Sequence, residues 1–227
     1  MLQDIFSGMN VQFAPHVHTE LRGQLNRSRR VTMLAGNLVG NARSDVSGVS
    51  ARVYRGGTYG FSSMAEYTPE AAGMVLRAAS ENADFMETHA GRALPALPSL
   101  PKSACLTEHD ICDVPQKAYI DYVRALDAYV ESHCPGLISR SLVATEDSME
   151  KWLLTSDGMD AHTILPRSYV YVILTAQTND GAPVEVFKAV GGEGTFDLNF
   201  TDPAQVFPEV DRLYEQIMRK REGVYAD

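Results

Sequence analysis

The chain has 227 residues, of which 44% are hydrophobic and 22% are charged, and this ordinary composition excludes a disordered tail, a collagen-like repeat and a coiled coil. A net charge of −9 disfavours binding to nucleic-acid phosphates unless a local basic patch exists. No stretch approaches the roughly 20 consecutive apolar residues of a membrane helix, and residues 1–10 lack a signal-peptide pattern. We therefore expect a cytoplasmic protein with no direct nucleic-acid partner and no membrane partner.

The first part of the chain favours strands. Short runs with partial alternation occupy residues 18–62, among them ELRGQLN, RVTMLAG and VSARVYR. In the last of these runs, Val49, Ala51 and Val53 lie on one face. The glycines within residues 55–58 predict a tight hairpin turn into the next strand.

A helix is predicted after these strands. Thr68 is a suitable cap, and Pro69 suits the first helical position. Apolar residues then recur at helical spacing along one side, and their small size favours close packing on a sheet. They are Ala72, Val75, Leu76, Ala79, Ala83 and Met86.

The second part of the chain repeats this order. Residues 115–133 predict an amphipathic helix that ends at residues 135–136, a Pro-Gly pair. Strand-like runs follow, with a hairpin turn at residues 179–181. Residues 202–203, an Asp-Pro pair, predict the start of a final helix. The strand-like runs are ISRSLVAT, EKWLLTS, SYVYVILTA and APVEVFKAV.

These elements predict an α+β (mixed α/β) fold with two lobes, each a largely antiparallel sheet covered by helices. We assign residues 1–88 to the first lobe and residues 115–227 to the second. Between them, residues 89–114 contain prolines at a three-residue period. That period favours polyproline II geometry and an extended, semi-rigid connector.

Candidate metal ligands include three cysteines, a number that argues against a disulfide framework. Cys105, His109 and Cys112 could supply three zinc ligands, and His133 and Cys134 would have to fold back to complete the set. Their spacing matches no strong zinc pattern, so reduced thiols in a connector are the favoured interpretation.

Two further pairs are weaker candidates. His16 and His18 would share one strand face and could bind a metal weakly, but they have no third ligand nearby. Glu146 and Asp147 are adjacent on a strand and therefore face opposite ways, which favours solvated side chains over an acid–base pair.

Sequence motifs for catalysis are lacking. The glycine-rich residues 191–194 follow a strand but have no Lys-Ser or Lys-Thr after them, so they are interpreted as a turn. No Gly-x-Ser-x-Gly or His-Glu-x-x-His motif occurs. We therefore assign no catalytic, cofactor-binding or metal-binding residue to this chain.

The order of the segments resembles the amino-terminal region of the TldD/PmbA family. The matching segments are Glu20 to Arg22, Gly48 to Val53, Gly57 to Ser63, the helix over 69–86, and the turn at residues 154–158. Each motif is short and structural, and the combination spans essentially the whole chain.

Two glycines within these motifs have expected structural roles. Gly60 is expected to let the backbone turn while the ring of Phe61 enters the core. Gly158 is expected to supply a hairpin position with positive φ.

The resemblance implies a link to zinc metallopeptidases, hydrolases historically described as candidate modulators of DNA gyrase and implicated in peptide maturation and proteolysis. Their metal site is a His-Glu-x-x-x-His segment plus a later Cys, and this chain ends at Asp227, about where that segment should begin. The resemblance thus implies the amino-terminal part of a longer peptidase rather than a natural stand-alone half, with zinc in the downstream domain and none in this chain.

In that interpretation the chain is the substrate- and partner-facing region, and it holds an extended peptide by strand addition. The implied partners are a peptide substrate and a second family member, in a homodimer or a heterodimer. The alternative is a non-catalytic interaction module or the inactive partner subunit of a TldD/PmbA-type pair. Whether the chain takes part in an enzyme stays open at this point.

Overall fold

The computed structural model describes Phe6 and residues 13–89, 104–107 and 114–223. It has the predicted α+β architecture. No helix in the described part of the chain is both long enough and apolar enough to cross a membrane. In chain order the elements are β1 (His18–Leu34), β2 (Asn37–Arg55), β3 (Thr58–Met64), α1 (Pro69–His89), β4 (Ala104–Thr107), α2 (Gln116–His133), β5 (Ser139–Thr155), β6 (Asp160–Gln177), β7 (Pro183–Glu193), α3 (Phe196–Asn199), a 3-10 turn (Pro203–Val206) and α4 (Phe207–Glu222).

The described strands hydrogen-bond in the order β3-β2-β1-β5-β6-β4, and β7 pairs with β6. The pairs β2–β3 and β6–β7 are antiparallel, while β4 runs parallel to β6. The expectation of largely antiparallel pairing is confirmed, and β4 adds a parallel pair that the sequence did not predict.

The chain divides into two compact units whose segments are not contiguous. Strands β1, β2, β5 and β6 are 17 to 19 residues long, so each contributes residues to both units. The units therefore differ in their segments from the sequential lobes 1–88 and 115–227, and most of the connector 89–114 lies outside the described residues. Unit 1 comprises Met1–Asn26, Asp45–Glu108 and Met149–Leu165, and unit 2 comprises Arg27–Ser44, His109–Ser148 and Pro166–Asp227.

The hairpin turns follow local chemistry. Gly56 and Gly57 have φ values of 57° and 86° between β2 and β3, which is the backbone that a two-residue hairpin requires. The turn at residues 179–181 joins β6 to β7 as predicted. Residues 191–193 are the end of β7 rather than a turn.

Unit 1 packs α1 on the inner face of its strands. Val49, Ala51 and Val53 share this face, as predicted, and all three are buried. The helix begins at Pro69, and the Thr68 side-chain oxygen accepts a hydrogen bond from the Ala71 N–H at 3.1 Å, so the predicted cap is confirmed.

The predicted apolar stripe of α1 ends sooner than expected. Met86 is 42% exposed, and the buried stripe ends at Ala83. The last turn of the helix lies level with the β2–β3 hairpin, where Glu87 pairs with Arg55 at 3.1 Å. Met86 therefore has no sheet beneath it.

Unit 2 has its own core, formed by α2, α4 and the strand residues beneath them. The predicted helix over 115–133 is confirmed as α2, with Tyr119 and Leu126 fully buried. The final helix differs in its start, because Asp202 caps the 3-10 turn through a 2.9 Å bond from the Ala204 N–H. The α-helix itself begins at Phe207.

Candidate functional site

Helix α1 packs closely against one face of the unit 1 strands, and the opposite face of these strands is open. A Cβ atom on Gly60 would lie 1.9 Å from the carbonyl oxygen of Ala79 and 2.3 Å from the amide nitrogen of Ala83. Gly60 therefore permits helix–strand contact, and the interpretation that it makes a turn is wrong. Because side chains alternate along a strand, Phe61 points to the opposite face and is 58% exposed, so its predicted place in the core is also wrong.

On this open face, opposite α1, lies a groove of about 730 Å³. It crosses β3, β2, β1 and β5, all within unit 1. Its polar walls include Gln24 and Asn26 of β1 and Ser63 of β3, and its apolar walls include Phe61 and Leu153. We call this feature the open-face groove.

The groove also has cationic walls, provided by Arg22 and Lys151. Arg22 donates from Nη2 to the Oε2 atom of Glu20 at 2.8 Å, and Arg52 donates from Nη2 to Oε1 of the same carboxylate at 2.7 Å. Two guanidinium groups therefore share one carboxylate, and this leaves an excess of positive charge beside the groove.

The ionisation of Glu20 is fixed by these partners. Burial acts to raise the pKa of Glu20, but the hydrogen bond from Arg52 and the charges of Arg22 and Arg52 outweigh it and lower the pKa. The same hydrogen bond raises the pKa of Arg52. At neutral pH Glu20 is therefore an anion that holds both arginines in place.

The predicted histidine pair is not brought together on a strand. His16 has a φ of 63° and lies in a turn, while β1 begins only at His18. His18 instead lies between two carboxylates, with Nε2 3.4 Å from Glu20 Oε1 and Nδ1 3.1 Å from Asp157 Oδ2. The pair is thus corrected to a single histidine that lies between two carboxylates.

The turn that carries Asp157 also anchors the start of β1. The Thr19 N–H donates to Ser156 Oγ and the Ser156 N–H donates to the Thr19 carbonyl, both at 2.9 Å. Gly158 has a φ of 93°, which confirms its predicted hairpin role. These bonds hold the β5–β6 turn against β1.

The sequence-predicted metal candidates are not assembled among the described residues. The side chains of Cys105, His109 and Cys112 lie outside them. Cys134 is buried, and its burial together with the charge of Asp211 raises its thiol pKa to about 11. In the described ranges, no group of three or more His, Cys, Asp or Glu side chains is placed to hold a metal ion.

Of the adjacent carboxylates Glu146 and Asp147, one is unexpectedly buried. Asp147 is exposed as predicted, but Glu146 is only 4% exposed, so its predicted solvation is wrong. Its Oε2 atom accepts from Tyr119 Oη at 3.0 Å and from the Phe196 N–H at 2.6 Å. Both donors come from distant segments of unit 2, which explains why no local pattern revealed this buried carboxylate.

Two family models match the chain, and both describe domains of the same protein family. Residues 19–83 match the family model "PmbA/TldA metallopeptidase domain 1", and residues 109–220 match "PmbA/TldA metallopeptidase central domain". No curated protein sequence matches the chain.

Solved structures share the fold at low sequence identity. TldE from Thermococcus kodakarensis superposes with a TM-score of 0.66 at 11% identity, covering 96% of this chain and 47% of that chain. A candidate modulator of a DNA gyrase from Thermotoga maritima gives a TM-score of 0.64 at 11% identity, covering 94% of this chain and 47% of that chain. A candidate modulator of DNA gyrase from Bacteroides thetaiotaomicron gives 0.64 at 12%, covering 93% and 49%. The chain thus spans about half the length of the structures it matches.

Proposed function

The chain belongs to the TldD/PmbA family, and we propose from this membership that it is the substrate- and partner-facing region of a cytoplasmic zinc metallopeptidase that processes peptides. The matched family models carry the word metallopeptidase in their descriptions, which supports this assignment. The described residues do not fit a zinc ion, because they offer no group of three ligands. The role we propose for this region is therefore peptide binding.

The open-face groove is the observation that carries the proposal. Its volume of about 730 Å³ falls within the range of roughly 300–1,000 Å³ that is typical of ligand sites. Gln24, Asn26 and Ser63 offer amide and hydroxyl groups that can donate to and accept from a peptide main chain. Phe61 and Leu153 offer apolar contact beside them. Such a groove suits an extended peptide recognised more by its backbone than by one fixed sequence.

The geometry favours this groove over strand addition at the edge of unit 1. On that edge β3 pairs with β2, and the Phe61 carbonyl accepts a 2.9 Å hydrogen bond from Asn82 Nδ2 on α1. This bond occupies part of the edge at which an added strand would pair, and the Asn82 side chain obstructs the approach to it. We therefore place the peptide across the open face rather than along β3.

Binding to the groove can be tested by blocking it. Ser63 is exposed on β3 and lines the groove, so Ser63→Trp fills the space without disturbing the core. We expect this change to weaken binding of a fluorescein-labelled, uncharged, unstructured peptide by at least about tenfold in fluorescence anisotropy. Ser132→Trp, on the exposed surface of α2, is the matched control and should bind as the unchanged chain does.

Equal binding by the two tryptophan variants would contradict a peptide site in the groove. Subunit pairing would then be the better function for this region, in line with the proposed homodimer or heterodimer of family members. Sedimentation of the chain alone and with a second family member measures that pairing directly.

A further inference from the structure

We propose that the open-face groove selects acidic peptides, with Arg22 and Lys151 binding carboxylate side chains of an extended segment. This inference rests on the proposed function and narrows its substrate class. It follows from the charge of the groove, from how Arg22 is held, and from the width of the site.

The charge of the groove is opposite to that of the chain. Arg22 and Lys151 line it, and none of its lining residues is Asp or Glu, although the chain as a whole carries a net charge of −9. Asp45 and Glu66 are sequence neighbours of lining residues, but neither lines the groove. A cleft lined by charge of one sign raises the local concentration of oppositely charged ligands. The groove is therefore a local attractor for anions on a chain whose net charge is negative.

Arg22 is oriented by an anion that does not neutralise it fully. Its Nη2 atom bonds to Glu20, but Glu20 also binds Arg52, so one negative charge is divided between two guanidinium groups. The Arg22 side chain is 54% exposed, and a guanidinium has five N–H donors. The donors that Glu20 does not use can reach a ligand carboxylate in the groove.

Lys151 provides the second cation. It is exposed on β5 and lines the groove, and no carboxylate of the described residues lies within ion-pair distance of its ammonium group. A flexible, strongly hydrated ammonium suits a ligand carboxylate whose position varies from one peptide to another.

The width of the groove argues for a peptide rather than a single amino acid. The groove crosses four strands, whose spacing of roughly 4.8 Å gives a span of about 14 Å. An extended peptide rises about 3.4 Å per residue, so about four residues fit across this span. Exposed Phe61 and half-buried Leu153 would contact apolar side chains that share one face of the peptide with the acidic ones. The ligand class is therefore an extended segment with acidic and apolar residues interspersed.

The test uses three fluorescein-labelled probes, each an eight-residue peptide in which pairs of valines alternate with pairs of glutamates, glutamines or lysines, so that each face of the extended peptide carries both kinds of side chain. We expect the glutamate probe to bind at least about tenfold more tightly than the glutamine probe at low salt, the lysine probe to bind most weakly, and added salt to remove the difference. Arg22→Gln and Lys151→Met should each weaken the glutamate probe about fivefold, the upper end for an exposed ion pair. The double variant should bind the glutamate and glutamine probes alike.

Lys117→Met on α2 is the matched control and should change nothing, because Lys117 is exposed and pairs with Asp121. Equal binding of the glutamate and glutamine probes would overturn the acidic preference and leave peptide binding intact. Retention of the preference in the double variant would also overturn the assignment, because the anion would then bind elsewhere. If no probe binds at all, both the preference and the proposed function fail. Fluorescence of Trp152, the single tryptophan of the chain, verifies that each variant keeps unit 1 folded.

Discussion

Replacing Gly60 with alanine tests the close contact between α1 and β3. The added Cβ would lie 1.9 Å from the Ala79 oxygen and 2.3 Å from the Ala83 nitrogen, whereas real Cβ contacts are essentially never below 3.0 Å. Both neighbours are backbone atoms and cannot rotate away, so α1 must move outward by at least about 1 Å and lose packing along its buried stripe. Overpacking usually costs about 1–3 kcal/mol, and we expect the upper end, about 3 kcal/mol, because the obstruction is rigid.

The assay is urea unfolding followed by the fluorescence of Trp152, which is buried in the core of unit 1. Gly192→Ala is the matched control, because a Cβ there would meet no atom within 4 Å, and we expect it to change the free energy of unfolding by less than about 0.5 kcal/mol. If Gly60→Ala also changed it by less than 1 kcal/mol, roughly the lower limit for overpacking, the packing argument would be refuted.

Four further predictions concern two buried carboxylates, the thiol of Cys134 and zinc binding by the chain. Asp127→Asn leaves the Arg140 guanidinium without the carboxylate that it binds at 2.8 Å and 3.1 Å. Because Glu131 remains as a weak partner of Arg140, the free energy of unfolding should fall by about 2–3 kcal/mol, as measured by urea unfolding followed by circular dichroism. Glu20 has a lowered pKa in the folded chain, so the stability that its carboxylate contributes should be present above the ordinary pKa of 4.5 and disappear as the pH falls through the lower folded value. The difference in free energy of unfolding between the unchanged chain and Glu20→Gln should therefore shrink as the pH falls through that range. A difference that does not change with pH would contradict this. Cys134, with its pKa raised to about 11, should react with iodoacetamide at pH 8 at least about tenfold more slowly in the folded chain than in urea, as measured by peptide mapping. The 227-residue chain alone should hold no stoichiometric zinc and have no peptidase activity; one zinc per chain retained against mild chelation, or activity abolished by a chelator, would contradict this.

Elements whose signals are local could be predicted from the sequence. The start of α1 depends on Thr68 and Pro69, which are adjacent, and the β2–β3 turn depends on two consecutive glycines. In both cases the residues that determine the structure also make its hydrogen bonds. The apolar faces of the helices followed for the same reason, except at Met86, where burial depends on how far the sheet extends beneath the helix.

Features that depend on distant contacts were missed. The runs ELRGQLN and RVTMLAG look like separate strands, yet β1 is continuous from His18 to Leu34 and lies between β2 and β5 in the sheet. Glu146 looks solvated in its own sequence context, and its burial depends on donors at Tyr119 and Phe196. A sequence pattern cannot reveal partners that folding alone brings together.

The open-face groove belongs to the same class, since Arg22, Ser63 and Lys151 are widely separated along the chain and meet only where β1, β3 and β5 align. Side chains alternate between the two faces of a strand. Residues that face α1 therefore stabilise unit 1, and their immediate neighbours in the sequence line the groove on the opposite face. Gly60 and Phe61 illustrate this division within one pair of adjacent residues. A change at Gly60 should therefore act first on the free energy of unfolding, whereas a change at Phe61 should act first on ligand affinity. Measuring both quantities for one substitution at each position separates the stabilising role of one face from the binding role proposed for the other.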